Sequence, residues 1–233
     1  DDVTEILGIT KYEPPIPACL SGQVKGTFPS FIPKTDETRV QVLQGKLTKF
    51  KGTKCVYSEK LDGTSSTYYY NNGDFGVCSR NMELKESAEN TYWQMNEKYN
   101  IREKLSNLGR NIALQGEIIG DGIQGNKYKL GRNERRLYLF NMYDINKAEY
   151  LGYEEFISIA NELGIETVPF IDIDFELIDD IDALVELSKG VSVLNKNIKR
   201  EGIVIKPYEE INDMGERVSF KAISPDFLIK YGE

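Results

Sequence analysis

Histidine is absent from this 233-residue chain. Its absence removes the commonest general base and the commonest transition-metal ligand. Any catalysis must therefore run on lysine and carboxylates, with a hard, oxygen-preferring cation such as magnesium or manganese as the natural metal. Cysteine is scarce. Cys19, Cys55 and Cys78 are an odd number without a Cys-x-x-Cys spacing, which argues against structural zinc and a disulfide framework and predicts small buried hydrophobes. No apolar run approaches the roughly 20 residues of a membrane span, and no signal peptide opens the chain. The first residue is Asp1 rather than Met. The expectation is an excised or processed piece of an intracellular, non-membrane, monomeric protein.

What is present is globular, at 40% hydrophobic and 28% charged residues, and long enough to bury a sizeable core. The net charge of −8 argues superficially against a nucleic-acid partner, but the charge is unevenly spread. From Glu149 to Glu186 there are twelve acids and no Lys or Arg, so the remainder carries +4. Between Leu20 and Lys60, eight Lys or Arg face three acids. This pattern predicts a basic lobe leading into Lys60 and a separate acidic lobe, compatible with a nucleotide or polynucleotide site on one side. The acidic stretch by itself reads as a solvated face.

Residues 1–53 are punctuated by Pro and Gly and read mostly as extended loops. Strands are predicted at 54–59, 65–70 and 74–79, with Asn71-Asn72-Gly73 as a hairpin turn. The run Tyr68-Tyr69-Tyr70 reads as half-buried strand surface, with a stacking platform as the alternative. Ser87–Leu108 is predicted as one helix stopped by Gly109. Strands follow at 111–119 and 136–145, a helix at 153–163 ended by Gly164, a strand at 166–173 and a helix near 180–189. Strands at 202–207 and 216–222 precede a short helix that Ser224 would cap. Hairpin-linked strands with segregated helices predict an α+β fold with mainly antiparallel sheets, two-lobed, with a cleft between the sheets.

The most informative segment is Ser58-Glu59-Lys60-Leu61-Asp62-Gly63. Lys60 would end a strand, and Asp62-Gly63 would turn the chain, placing an amine beside a carboxylate and a glycine that lets a phosphate approach closely. Alone this is a weak signal, and a solvated strand-end lysine is then the better reading. It has company in Ser79-Arg80-Asn81, Leu114-Gln115-Gly116-Glu117-Ile118-Ile119-Gly120, Leu137-Tyr138-Leu139-Phe140-Asn141-Met142-Tyr143-Asp144, Arg200-Glu201-Gly202-Ile203-Val204-Ile205-Lys206 and Val218-Ser219-Phe220-Lys221-Ala222-Ile223-Ser224.

In order and spacing these segments resemble the nucleotidyltransferase motifs of the covalent lysine nucleotidyltransferases, the superfamily of DNA ligases, RNA ligases and mRNA capping enzymes. Glu59-Lys60, Ser79-Arg80-Asn81 and Lys221-Ala222-Ile223-Ser224 look most like ATP-dependent RNA ligases. The lead-in from Phe28 to Arg39 is similar to the branch in which an OB domain precedes the transferase domain. The resemblance implies a two-lobed, ATP-grasp-like nucleotidyltransferase domain over 28–233, an extended lead-in over 1–27, and an OB domain further upstream.

It also implies roles. Lys60 would attack the α-phosphorus of ATP and carry AMP, which then passes to an RNA 5′-phosphate before a 3′-OH seals the strand. An ordinary lysine is only about one part in a thousand neutral at pH 7.5, a cost of roughly 4 kcal/mol. Neighbouring cations lower that cost, and Lys206 and Lys221 would supply them while neutralising the α-phosphate. Asp62, Glu117 and Glu201 would hold Mg2+ or Mn2+, largely through water, and Glu117 would also reach the ribose. Phe140 and Val204 would sandwich the base, and Glu59 would accept from the adenine amino group. Arg80 would contact ribose or the RNA end, and Arg39 the β- or γ-phosphate. Ser219 stands where many relatives carry the first lysine of the last motif. The plainer readings are structural salt bridges for the three acids, a core phenylalanine for Phe140 and a surface arginine for Arg80. The expected partner is RNA or a nicked duplex with 5′-phosphate and 3′-OH ends. A capping guanylyltransferase, a DNA ligase and a non-catalytic nucleic-acid-binding relative are the competing readings.

Overall fold

The computed structural model describes residues 22–232. Two sheets organise it. The larger has seven strands in the spatial order β1 (Val24–Thr27), β6 (Met82–Leu84), β5 (Asp74–Ser79), β4 (Thr64–Asn71), β7 (Ile112–Gly120), β8 (Arg135–Asp144) and β9 (Glu149–Tyr150). The smaller has β10 (Phe170–Glu176), β3 (Lys54–Lys60), β11 (Gly202–Pro207), β14 (Phe220–Ile223) and β2 (Thr38–Arg39). A hairpin of β12 (Asn212–Asp213) and β13 (Glu216–Arg217) lies apart. The ladders are antiparallel except β2 on β14. With six α-helices among the described residues, α1 (Gln44–Lys49), α2 (Thr91–Tyr99), α3 (Ile101–Leu108), α4 (Tyr153–Leu163), α5 (Ile181–Ser188) and α6 (Pro225–Tyr231), the fold is α+β as expected.

Local chemistry explains several elements. Asn72 and Gly73 both take positive φ, 51° and 91°, between the paired residues Asn71 and Asp74, the two-residue turn that matches the twist of a hairpin. Gly164 closes α4 in the left-handed region. The helix expected over 87–108 is two. Asn100 adopts φ 52° and ends α2 before α3 begins, because a short amide side chain tolerates the left-handed conformation. Asn90 starts α2 by accepting from the Tyr92 and Trp93 N–H groups.

Other expectations shift. Residues 22–53 are not merely loop, since they contribute β1, β2 and α1. The strand expected at 166–173 begins only at Phe170, because Val168 N–H bonds Leu139 O of β8 instead. The stretch 216–222 breaks into β13 and β14 after a turn at Met214-Gly215, both at positive φ. Ser224 occupies the N-cap of α6, but its side chain makes no capping bond.

Each sheet buries its own core. Tyr68, Leu114 and Leu137 of the large sheet pack with Ile101, Leu105 and Phe156 of the helices. Tyr57, Ile203, Ile205 and Phe220 of the small sheet pack with Leu47 and Leu184. Tyr68 and Tyr69 are buried, with hydroxyls on Tyr92 O and Glu83, so the tyrosine run is core rather than a stacking platform. Cys55 and Cys78 are buried free thiols; Cys19 lies outside the described residues.

The basic and acidic segments are not separate lobes. Lys51 pairs with Asp179 at 2.9 Å and Lys54 with Asp174 at 3.1 Å, while Lys46 and Lys49 pair with Glu216 and Asp213. Such exposed pairs contribute about 0–1 kcal/mol each, against roughly 1.5–3 kcal/mol for burying one large apolar side chain. The cores hold the sheets, and the pairs only balance charge.

Candidate active site

Ten of the eleven residues singled out from the sequence line one cleft of about 380 Å³ between the two sheets, and Arg39 alone does not. Topology assembles it. Lys60 ends β3 opposite Gly202 of β11, so Glu201, just outside β11, brings its carboxylate to 2.6 Å from the Lys60 ammonium. The turn after Lys60 lies against β7 so closely that a Cβ on Gly63 would fall 2.3 Å from Ile118 O. Glycine is required there by contact.

Glu117, mid-strand in β7, faces this turn and accepts from Gly63 N–H. Burial raises its carboxyl to about 8; Lys60 opposes the shift, while Glu201 and Asp62 reinforce it. Asp62 is 9% exposed and bound on two sides: its carboxylate takes Lys127 Nζ at 2.5 Å, and its N–H donates to the Tyr128 hydroxyl at 2.9 Å. Sequence reasoning missed Lys127 and Tyr128, and no local signal marks a contact across 65 residues. Among the described residues no three Asp, Glu or Cys side chains lie close enough to hold a metal ion directly. Asp62, Glu117 and Glu201 would need intervening water.

Phe140, on β8 of the large sheet, and Val204, on β11 of the small one, line the cleft from different sheets, as the walls of a flat apolar slot must. Glu59 lies one residue before Lys60, on the other side of the pleat. Its carboxylate accepts from Val193 N–H at 2.7 Å through Oε2, whereas Oε1 is buried with no hydrogen-bond partner. Burial holds this carboxyl above the usual range, partly offset by Ser192, Val193 and Arg200. A buried acceptor without a donor is costly, and a ligand N–H would complete it.

The chain matches the family model for RNA ligases over residues 53–223. It belongs to the RNA ligase family. Solved structures of Naegleria gruberi RNA ligase are 46% identical: a lysine-to-alanine variant with ATP and Mn (TM-score 0.84, covering 99% of this chain and 67% of that one), the protein with PPi (0.84, 100% and 67%), and a glutamate-to-alanine variant with AMP and Mn (0.84, 99% and 67%). The chain thus spans about two thirds of their length. No curated protein sequence matches it.

The cationic side of this ligase cleft departs most from expectation. Lys221, on β14 opposite Val204, is drawn below the usual lysine range by burial and by Lys60. Arg39 stands opposite Lys221 on β2 but is exposed and off the cleft wall. Arg80 pairs with Asp36 at the lip, its side chain 62% exposed. Lys206 is buried, and Nζ donates to Phe140 O and Asn141 Oδ1 at 2.6 Å each. Burial and then Arg217 push it down to about 7. Ser219 is buried with its hydroxyl unpartnered, so no cation occupies that position. No helix among the described residues is long and apolar enough to cross a membrane.

Proposed function

We propose that the cleft adenylylates Lys60 from ATP. The observation that carries this is the convergence in one cleft of Lys60, three acids, Glu59 and the apolar pair Phe140 and Val204. The adenine amino group would donate to Glu59, and Phe140 and Val204 would cover the ring faces. Lys60 leaves Glu201 and gives up a proton to solvent; its nitrogen forms the bond to the α-phosphorus as the bond to the bridging oxygen breaks, releasing pyrophosphate. Lys221 neutralises the phosphate, with Lys206 behind it. Arg80 at the lip would meet ribose or the RNA end, and Arg39 the outer phosphates.

Asp62, Glu117 and Glu201 would hold Mg2+ or Mn2+ through water, and the ion would stabilise charge on the phosphate oxygens. The donor set fits, since it is all oxygen and octahedral aquated ions bind in this manner. The Naegleria structures support the reading. Their complexes contain ATP, AMP, PPi and Mn, and their substituted positions include a lysine, an aspartate two residues on and a glutamate at the separation of Glu117 from Lys60.

Transfer of AMP to an RNA 5′-phosphate and sealing by a 3′-OH belong to the whole protein and are proposed on family grounds. Mass spectrometry after incubation with ATP and a divalent cation tests the first step. One AMP per chain is expected, and an unmodified chain would overturn the reading.

A further inference from the structure

The loop joining β7 to β8, residues 121–134, carries one partly buried and one buried side chain that the chemistry above leaves unused. The Lys127 side chain is 15% exposed, and its ammonium lies 2.5 Å from Asp62 Oδ2. Its other side faces the rings of Phe227 and Tyr231 on α6, with centroids at 5.1 and 5.2 Å. Tyr128 is 6% exposed and accepts the Asp62 N–H at 2.9 Å. Gln124 adds a bond to Gly63 O at 3.3 Å. Three side chains of one loop therefore grip the Asp62-Gly63 turn, two residues beyond the nucleophile.

The loop holds Gln124, Asn126, Lys129 and Asn133 at φ of 44°, 48°, 60° and 61°. Non-glycine residues adopt that region at a cost and keep it where surrounding contacts over-determine it. Stability does not account for the ion pair, since well-packed apolar side chains of similar volume serve a core as well or better.

We propose that Lys127 and Tyr128 are positioning residues for AMP transfer to Lys60. Lys127 neutralises Asp62 and holds its carboxylate in one orientation, and Tyr128 fixes the main chain of the turn. The inference rests on the adenylylation reading above. Lys127 acts through Asp62, so its removal should matter only while that carboxylate is present.

The test is single-turnover AMP loading with ATP and Mn2+ for Lys127→Met, Lys127→Arg and Tyr128→Phe, with Lys127→Met repeated in an Asp62→Asn background. ATP affinity is read by calorimetry and folding by thermal melts. Lys127→Met should slow transfer at saturating ATP at least about tenfold, with ATP affinity within about threefold of wild type. Lys127→Arg should recover to within about threefold, and in the Asp62→Asn background Lys127→Met should cost less than about twofold more. Tyr128→Phe keeps both charges and the ring, so it tests the idea even if Lys127→Met folds poorly; it should slow transfer about threefold or more. Wild-type rates in both Lys127→Met and Tyr128→Phe, or an equal Lys127→Met penalty with and without the Asp62 carboxylate, would overturn the positioning role alone. A wild-type protein that takes up no AMP would sink the adenylylation reading as well.

Discussion

The Lys60 ammonium lies 2.6 Å from Glu201 Oε1, across 141 residues of sequence. The nucleophile of the proposed reaction is thus held as one half of an ion pair. Attack requires that the pair be broken, and the other acids facing the same space set how readily that happens.

Loading should depend on Lys60 alone as acceptor. Lys60→Ala is expected to take up no AMP from ATP by mass spectrometry, while a cooperative thermal melt shows that it still folds, at a lowered melting temperature because the Glu201 carboxylate loses its ion-pair partner on β3. An adduct on that variant would move the nucleophile elsewhere.

Glu117→Ala and Glu201→Ala should each lower the loading rate at least about tenfold, or ~1.4 kcal/mol of barrier. The loss should be partly recovered at higher Mn2+ if the acids act by holding the ion. Unchanged rates in both would reduce them to structural salt bridges.

Base choice should follow Glu59. An ionised carboxylate only accepts, and guanine presents a carbonyl where adenine presents an amine; the mismatch costs roughly 1–3 kcal/mol. ATP should therefore load about 10- to 150-fold better than GTP. Glu59→Ala should narrow the gap, and Phe140→Ala should weaken both nucleotides alike. Equal loading of GMP by the wild type would favour the capping-enzyme alternative.

The metal-free protein should show a pH signature of Glu117. Its carboxyl is raised from 4.5 to about 8, so between those values the native state binds more protons than the unfolded one. Stability from this group is full below pH 4.5 and is lost as pH rises to 8. Glu117→Gln should flatten that slope in denaturant titrations with a chelator present. A slope identical to wild type would show that the carboxyl titrates normally.

Asn100→Gly should leave stability within about 0.5 kcal/mol, whereas Asn100→Val should cost roughly 1–2 kcal/mol, as measured by urea unfolding. Equal stability of the two would mean that the left-handed break between α2 and α3 is not required.

Much of this molecule was legible in the sequence because its cause is local. The hairpin at Asn72-Gly73, the helix Tyr153–Leu163 and the strand Gly202–Pro207 appear where periodicity and turn chemistry placed them. The motif order around Lys60 also picked out ten residues that meet in one cleft. Tertiary structure decided the rest. Asn100 has no proline or glycine signal, yet it takes a left-handed φ of 52° that ends α2 before α3 begins. Local charge counts predicted separate basic and acidic lobes, but side chains pair with what the fold brings near, and Lys51 and Lys54 found Asp179 and Asp174. The same holds at the site. Lys127 reaches Asp62, and Lys206 turns to Phe140 O and Asn141. A residue's type limits what it can bond, but its partner is set by distance, and distances between residues 65 or 141 positions apart exist only after the sheets have closed on each other.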